Sequence, residues 1–179
     1  MMKTINVIEL PQKLMICLRM YQNQGKSGTI RELAELLMPK PAEANTHWHT
    51  PNFPNNTMFK NMPKTIEEWL EKISKWKCDI CVVVDAKGKR IGLSSQGDKP
   101  DIIQKNLEFL VQEDCEIIFC ACRSRNPTVK VVEDIAKKSG YTLIMTAPYS
   151  VNATLKKVDI KQLQEFLNMQ KAKHLADFI

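Results

Sequence analysis

The chain predicts an α/β protein: a three-layer sandwich with a mostly parallel sheet and one antiparallel hairpin. Three observations carry this reading. Short apolar runs of strand length alternate with amphipathic stretches of helical length, the pattern of strand–helix–strand units. Two of the apolar runs, 80–84 and 90–94, flank Asp85-Ala86-Lys87-Gly88-Lys89, a glycine-containing turn, and read as a hairpin. The 179 residues, 44% hydrophobic and 26% charged, match one soluble globular domain spanning the chain, large enough for a full core.

The elements follow in order. Residues 14–18, Leu-Met-Ile-Cys-Leu, form the first apolar strand, and 29–38 carry Ile30, Leu33, Ala34 and Leu37 at helical spacing. Pro39 and Pro41 stop that helix. The stretch 39–64, rich in proline and asparagine, reads as an irregular insertion holding His47, Trp48 and His49. It is too long for a bare connection, so the expectation is either a functional loop or a disordered one. Thr65 and Glu68 form a capping box for a helix with Ile66, Trp69, Leu70, Ile73 and Trp76 on one face. The hairpin comes next, then a helix over 101–112 with Ile103, Leu107, Leu110 and Val111 on one side. Strands at 116–122 and 141–147 bracket a helix over 128–139 that ends at Gly140, and a helix over 159–179 closes the chain. Right-handed crossovers would bring loops 20–27, 95–100 and 123–127 to one rim, outside the carboxyl ends of the strands, where ligands bind in such folds.

The first of those loops carries the most specific motif. An apolar strand, a polar turn and Gly25-Lys26-Ser27 opening an amphipathic helix give the order of G-x-x-x-x-G-K-[ST], with Met20 where the first glycine belongs. On these residues the chain resembles the P-loop NTPase superfamily, specifically over 14–38 and loosely over 79–147. The resemblance implies ATP or GTP binding with Mg²⁺, through Gln24, Gly25, Lys26, Ser27 and Gly28. Lys26 would meet the terminal phosphates, Ser27 would ligate the metal, and Gly25 would let the backbone come close. Met20 departs from the pattern, and a Cβ there is costly if the position needs a positive φ.

The metal carboxylate has two candidate positions. Asp85 follows an apolar strand and opens Asp85-Ala86-Lys87-Gly88, although it equally suits the hairpin turn. Alternatively Ser94-Ser95-Gln96-Gly97 occupies that place with serine for aspartate, and Asp98 follows as a phosphate- or water-sensing side chain, or as the N-cap of the next helix. Arg123 and Arg125, after a buried strand, are candidate phosphate clamps, or solvated loop arginines. Asn126-Pro127 reads as the cap of the helix that follows. No N-K-x-D guanine signature follows any strand, which lowers the GTPase reading.

The charge of +6 suits phosphate-bearing ligands, but it is spread along the chain and not interleaved with aromatics, so nucleic acid ranks last among partners. Of the six cysteines, Cys17, Cys81, Cys120 and Cys122 lie in runs read as buried strands; as free thiols they point to a reducing, cytoplasmic setting. Cys78-Asp79-Ile80-Cys81 has zinc-like spacing, but extended residues i and i+3 face opposite ways, so core packing is the stronger reading. No apolar run reaches the ~20 residues of a membrane span. The sequence therefore points to a nucleotide-binding P-loop protein, a small NTPase or phosphotransferase. The alternative is a non-catalytic nucleotide-sensing or scaffolding subunit acting through a protein partner.

Overall fold

The computed structural model describes residues 11–21, 25–37, 48–49, 79–124, 127–149 and 160–179, with backbone alone at 48–49 and 160–161. The helix expected over 65–76 and most of the 39–64 insertion lie outside these residues. The elements are β1 (Leu14–Met20), α1 (Lys26–Leu37), β2 (Trp48–His49), β3 (Cys81–Ala86), β4 (Lys89–Ser94), α2 (Pro100–Gln112), β5 (Ile117–Arg123), α3 (Thr128–Lys138), β6 (Thr142–Thr146) and α4 (Ile160–Ala176).

The sheet runs β2-β3-β4-β5-β1-β6. β4, β5, β1 and β6 are parallel, while β3 is antiparallel to β4 and β2 to β3. Trp48–His49 therefore adds a two-residue strand at the sheet edge, inside a stretch that reads as irregular from sequence. The hairpin closes through Lys87-Gly88, whose φ angles of 51° and 74° match a two-residue turn with the twist of its strands.

β1 and β5 are apolar almost throughout because both faces of the sheet are covered. One face packs Leu14, Ile16, Leu18, Leu93 and Phe119 against Ile30, Leu33 and Ala34 of α1 and Ala172 and Leu175 of α4. The other packs Met15, Cys17, Ile118 and Cys120 against Ile103, Leu107 and Leu110 of α2 and Val129, Val132 and Ile135 of α3. Each fully buried leucine or isoleucine contributes about 1.5–3 kcal/mol of transfer free energy. The free thiols Cys17, Cys81, Cys115, Cys120 and Cys122 are buried, so cysteine serves as a small core residue. Cys78 lies outside the described residues.

α4 departs in part from its apolar period. Ile160, Leu163, Phe166, Leu167 and Leu175 are periodic in sequence; Leu175 is buried as that period expects, yet Phe166 is 51% exposed while Asn168 and Ala172 are buried. Asn168, Ala172 and Leu175 face the core, and Gln164 and Asn168 lie against Gly25 and Gly28 at the start of α1. A Cβ on Gly28 would lie 2.3 Å from Asn168 Nδ2. Gly28, with no Cβ, leaves room for Asn168 against α1. Among the described residues, no helix is long and apolar enough to cross a membrane.

Candidate functional site

The carboxyl ends of β1, β4, β5 and β6 share one edge of the sheet, shown by the pairings Met20↔Arg123, Leu18↔Thr146 and Ser94↔Cys120. The three loops expected to converge do so, and they are joined by side-chain bonds. Ser27 Oγ donates to the Ser95 carbonyl at 2.9 Å, and Arg123 Nε donates to Asp98 Oδ1 at 2.8 Å.

Lys26 is buried at the first position of α1, and its ammonium donates to the Met20 and Tyr21 carbonyls at 3.1 and 2.6 Å. An ammonium has three donors; two brace the loop from within, leaving one for a ligand. Burial lowers the Lys26 pKa from its ordinary value, while the Asp98 carboxylate pulls the other way. The charges of Lys26, Asp98 and Arg123 are thus close enough to be felt by one another. Arg123 holds the Asp98 carboxyl below its ordinary range, and Asp98 in turn raises Arg123. Only one guanidinium donor is used by Asp98, so the remaining edge of Arg123 faces no other described partner.

Helix α1 begins here. Thr29 N–H donates to the Gly25 carbonyl, the first bond of the helix, so the N–H groups of Lys26, Ser27 and Gly28 have no acceptor within it. No acidic residue stands in the first turn to quench the positive end of the dipole. Gly25 has φ +82°, a left-handed conformation that closes the turn into the helix. A Cβ on it would meet Gln164 Nε2 and Asn168 Oδ1 at 2.5 Å. The glycine expected to admit a phosphate is therefore required on its other side, by α4.

Gly28 shows the same thing more strongly. Expected in the ligand cradle, it is where Asn168 docks. Asn168 Oδ1 accepts from Thr29 Oγ1 at 3.4 Å and from Gln164 Nε2 at 2.9 Å, and Gln164 also donates to the Tyr149 carbonyl beyond β6. This chain of amides ties the start of α1 to α4 and to the far side of the rim. Sequence patterning missed it, since an asparagine and a glutamine four residues apart on a helix carry no chemical signature.

Met20, the departure from the motif, is the last residue of β1; among the described residues, the non-glycine ones with positive φ are Lys87 and Asp114. The side chain causes no strain there, because the strand continues in extended form to the position where the pattern has glycine.

Asp85 is corrected. It pairs with Arg90 across the hairpin, Arg90 Nε donating to Asp85 Oδ1 at 3.1 Å. Because β3 runs antiparallel to β4, its carboxyl end lies at the opposite edge of the sheet from Ser27, and Asp85 shares no site with it. The strand that ends at the rim is β4, and Ser94 and Ser95 stand there. β5 lies between β4 and β1, yet Ser27 still reaches Ser95.

Asp98 is corrected as a cap. Lys99 occupies the N-cap of α2 with no side-chain bond, and Pro100 opens the helix, so the Asp98 carboxylate is spent on Arg123 instead. Gly97 lets this loop lie against β5: a Cβ would stand 2.8 Å from the Ala121 carbonyl carbon. Pro127 is the N-cap residue of α3 and likewise makes no side-chain bond. Gln24, Arg125, Asn126 and His47 lie outside the described residues, as does the side chain of His49.

The carboxylate that does reach the rim is Asp79, just before β3. Ser95 Oγ donates to Asp79 Oδ1 at 2.9 Å and accepts from the Ile80 N–H at 2.8 Å. Its signal in the sequence was the hairpin itself: an antiparallel strand brings its start, not its end, to the rim. Among the described residues, no group of three or more His, Cys, Asp or Glu side chains is placed to enclose a metal.

Comparison with protein-family models, with curated proteins and with solved structures finds no match to this chain.

Proposed function

We propose that this protein binds a nucleoside triphosphate, ATP or GTP, with its phosphates at the amino end of α1. The observation that carries the reading is the buried Lys26 ammonium, bonded across its own loop to the Met20 and Tyr21 carbonyls at an uncapped helix start. A buried cation beside free helical N–H groups is suited to an anion with several oxygens. Lys26 directs its remaining donor to the terminal phosphates, and the N–H groups of α1 take the oxygens nearer the nucleoside. Arg123 offers bidentate donors to the same charge, while Asp98 holds it at the rim.

The residues present fit Mg²⁺ in one respect. Ser27 donates its hydroxyl proton to the Ser95 carbonyl, which leaves the oxygen lone pairs available to a cation. When bound, the metal supplies charge neutralisation on the phosphates. The reaction class is hydrolysis or phosphoryl transfer, in which positioning and charge do most of the work.

Thermal unfolding of the wild type and of Lys26→Ala, with and without Mg²⁺ and ATP or GTP, tests the reading. Ligand at about 100 times its Kd stabilises by about 2.7 kcal/mol, roughly 5–11 °C for a chain of this size. A shift in wild type alone supports it; no shift with either nucleotide overturns it. The second reading, a nucleotide sensor acting through a partner, draws on Ser94 and Ser95 standing where β4 would present a carboxylate. It expects the shift without release of phosphate.

A further inference from the structure

We infer that Asp79 is the metal-side carboxylate of this site, delivered from the start of the antiparallel strand β3 and oriented by Ser95. The inference rests on the nucleotide-binding reading above and says which residue holds the hydrated cation. Three observations converge on it.

The first is a continuous hydrogen-bond path. Asp79 Oδ1 accepts from Ser95 Oγ at 2.9 Å, and the Ser95 carbonyl accepts from Ser27 Oγ at 2.9 Å. One residue thus sets both the carboxylate and the candidate metal-binding hydroxyl. The second is rigidity. Ser95 is fully buried, its Oγ is held by the Ile80 N–H, and its own N–H donates to the Ile80 carbonyl at 2.9 Å. A serine fixed through backbone and hydroxyl cannot turn away, so the carboxylate it holds is fixed as well. The third is the face of the sheet. Leu93, two residues before Ser95, packs in the cluster formed with α1, whereas Ser94 points to Asn106 of α2. By that alternation Ser95 falls on the side where α1 begins, and the 2.9 Å bond from its Oγ draws the Asp79 carboxylate to it, although Cys81 and Val83, at the parity of Asp79, pack with α2.

The chemistry fits magnesium in particular. Mg²⁺ dehydrates reluctantly and is held by one or two carboxylates, phosphate oxygens and several waters, without a dedicated cage of protein ligands. A carboxylate acting through one of those waters sits about 4 Å from the ion, from a metal–oxygen distance near 2.1 Å and an ordinary hydrogen bond. Asp79 has only Ser95 as a hydrogen-bond partner among the described residues, so its second oxygen is available to such waters. Asp98, the other rim carboxylate, is neutralised by Arg123 at 2.8 Å and is the poorer candidate.

The test measures nucleotide affinity in excess Mg²⁺ and in excess EDTA, by titration calorimetry or a fluorescent nucleotide, for wild type, Asp79→Asn, Asp79→Glu and Ser95→Ala. Far-UV circular dichroism and the unfolding temperature establish that each variant is folded. Wild type should bind more tightly with Mg²⁺. Asp79→Asn should lose that advantage by about tenfold, the usual effect of removing an outer-shell partner, with its EDTA affinity unchanged. Asp79→Glu should keep most of the advantage, and Ser95→Ala, which leaves the carboxylate unanchored, should lose part of it. Electron paramagnetic resonance of Mn²⁺ with nucleotide should show weaker ion uptake by Asp79→Asn, a readout independent of turnover. Should Asp79→Asn not fold, Ser95→Ala and the Mn²⁺ signal decide the matter. A wild-type Mg²⁺ advantage retained in Asp79→Asn overturns the inference and leaves Asp79 as a staple between β3 and β4. Equal wild-type affinity in both buffers overturns it too, while leaving nucleotide binding intact. Absence of nucleotide binding in either buffer removes the reading on which it rests.

Discussion

Gly28→Ala separates the packing role of the loop helix from its ligand role. Two effects oppose each other. Alanine in a helix interior is favoured over glycine by about 0.5–1 kcal/mol. Against this, the new Cβ would stand 2.3 Å from Asn168 Nδ2 and 3.1 Å from its Cγ. Asn168 is 8% exposed and bonded to Gln164 at 2.9 Å, so it cannot swing away without leaving buried polar atoms unpaired. Overpacking costs about 1–3 kcal/mol, and loss of the hydrogen bond about 1 kcal/mol more. The net expectation is destabilisation by about 1–3.5 kcal/mol, a fall in Tm of roughly 2–14 °C. Calorimetry or urea unfolding reads it directly. Asn168→Ala alone should be destabilising, but Gly28→Ala in the Asn168→Ala background should be neutral or stabilising, because helix propensity then acts unopposed. The coupling between the two sites should be at least about 1 kcal/mol. A Gly28→Ala variant as stable as wild type, or additive effects in the double variant, would refute the close contact between α1 and α4. If the double variant also keeps its nucleotide-induced shift, the glycine serves packing.

Gly97→Ala should cost about 1–3 kcal/mol by urea unfolding, since its Cβ would press on the backbone of β5 rather than on a movable side chain; an unchanged midpoint would count against the loop's position. The Asp98–Arg123 pair is partly exposed, so solvent screening keeps its contribution to stability small. Because Arg123 lowers the Asp98 pKa, the unfolded chain takes up that proton first on acidification. The stability is therefore present above the ordinary carboxylate value of 3.8 and is lost as pH falls through the folded value. Asp98→Asn should accordingly be less stable than wild type at about pH 7, with the gap closing as pH falls through the folded Asp98 value; a gap that does not narrow in acid would contradict this. Cys17, Cys81, Cys115, Cys120 and Cys122 are buried, with Cys115 pushed up to about 12 chiefly by burial. A disulfide reagent at about pH 8 should leave all five unlabelled in the native protein and label them in urea, and peptide mass mapping that finds any of them modified natively would contradict the packing.

Much of the scaffold was legible in the residues. Apolar runs of strand length at 14–18, 80–84 and 116–122 are β1, β3 and β5 within a residue or two, because burial on both faces demands an unbroken apolar stretch. Ile30, Leu33, Ala34 and Leu37 lie on the buried face of α1, and Ile103, Leu107 and Leu110 on that of α2, since helical period and core contact coincide there. Lys87-Gly88 closes the hairpin that its turn chemistry implied. The meeting of loops at Lys26, Asp98 and Arg123 also followed, from the general geometry of parallel sheets.

What periodicity could not supply was which strands are neighbours and which end of each faces the rim. Those depend on pairings between residues far apart in the chain, and they removed Asp85 from the site and brought Asp79 to it. They also placed β5 between β1 and β4. The face of α4 was legible only in part: Leu175 is buried as its period implied, but Phe166 is exposed, and Asn168 is buried against Gly25 and Gly28 at the start of α1. The sequence alone determined the elements and the chemical groups at their ends, both local properties of the chain. The tertiary structure decided which of those groups share a site, since a carboxylate's partners depend on strand direction and helix approach.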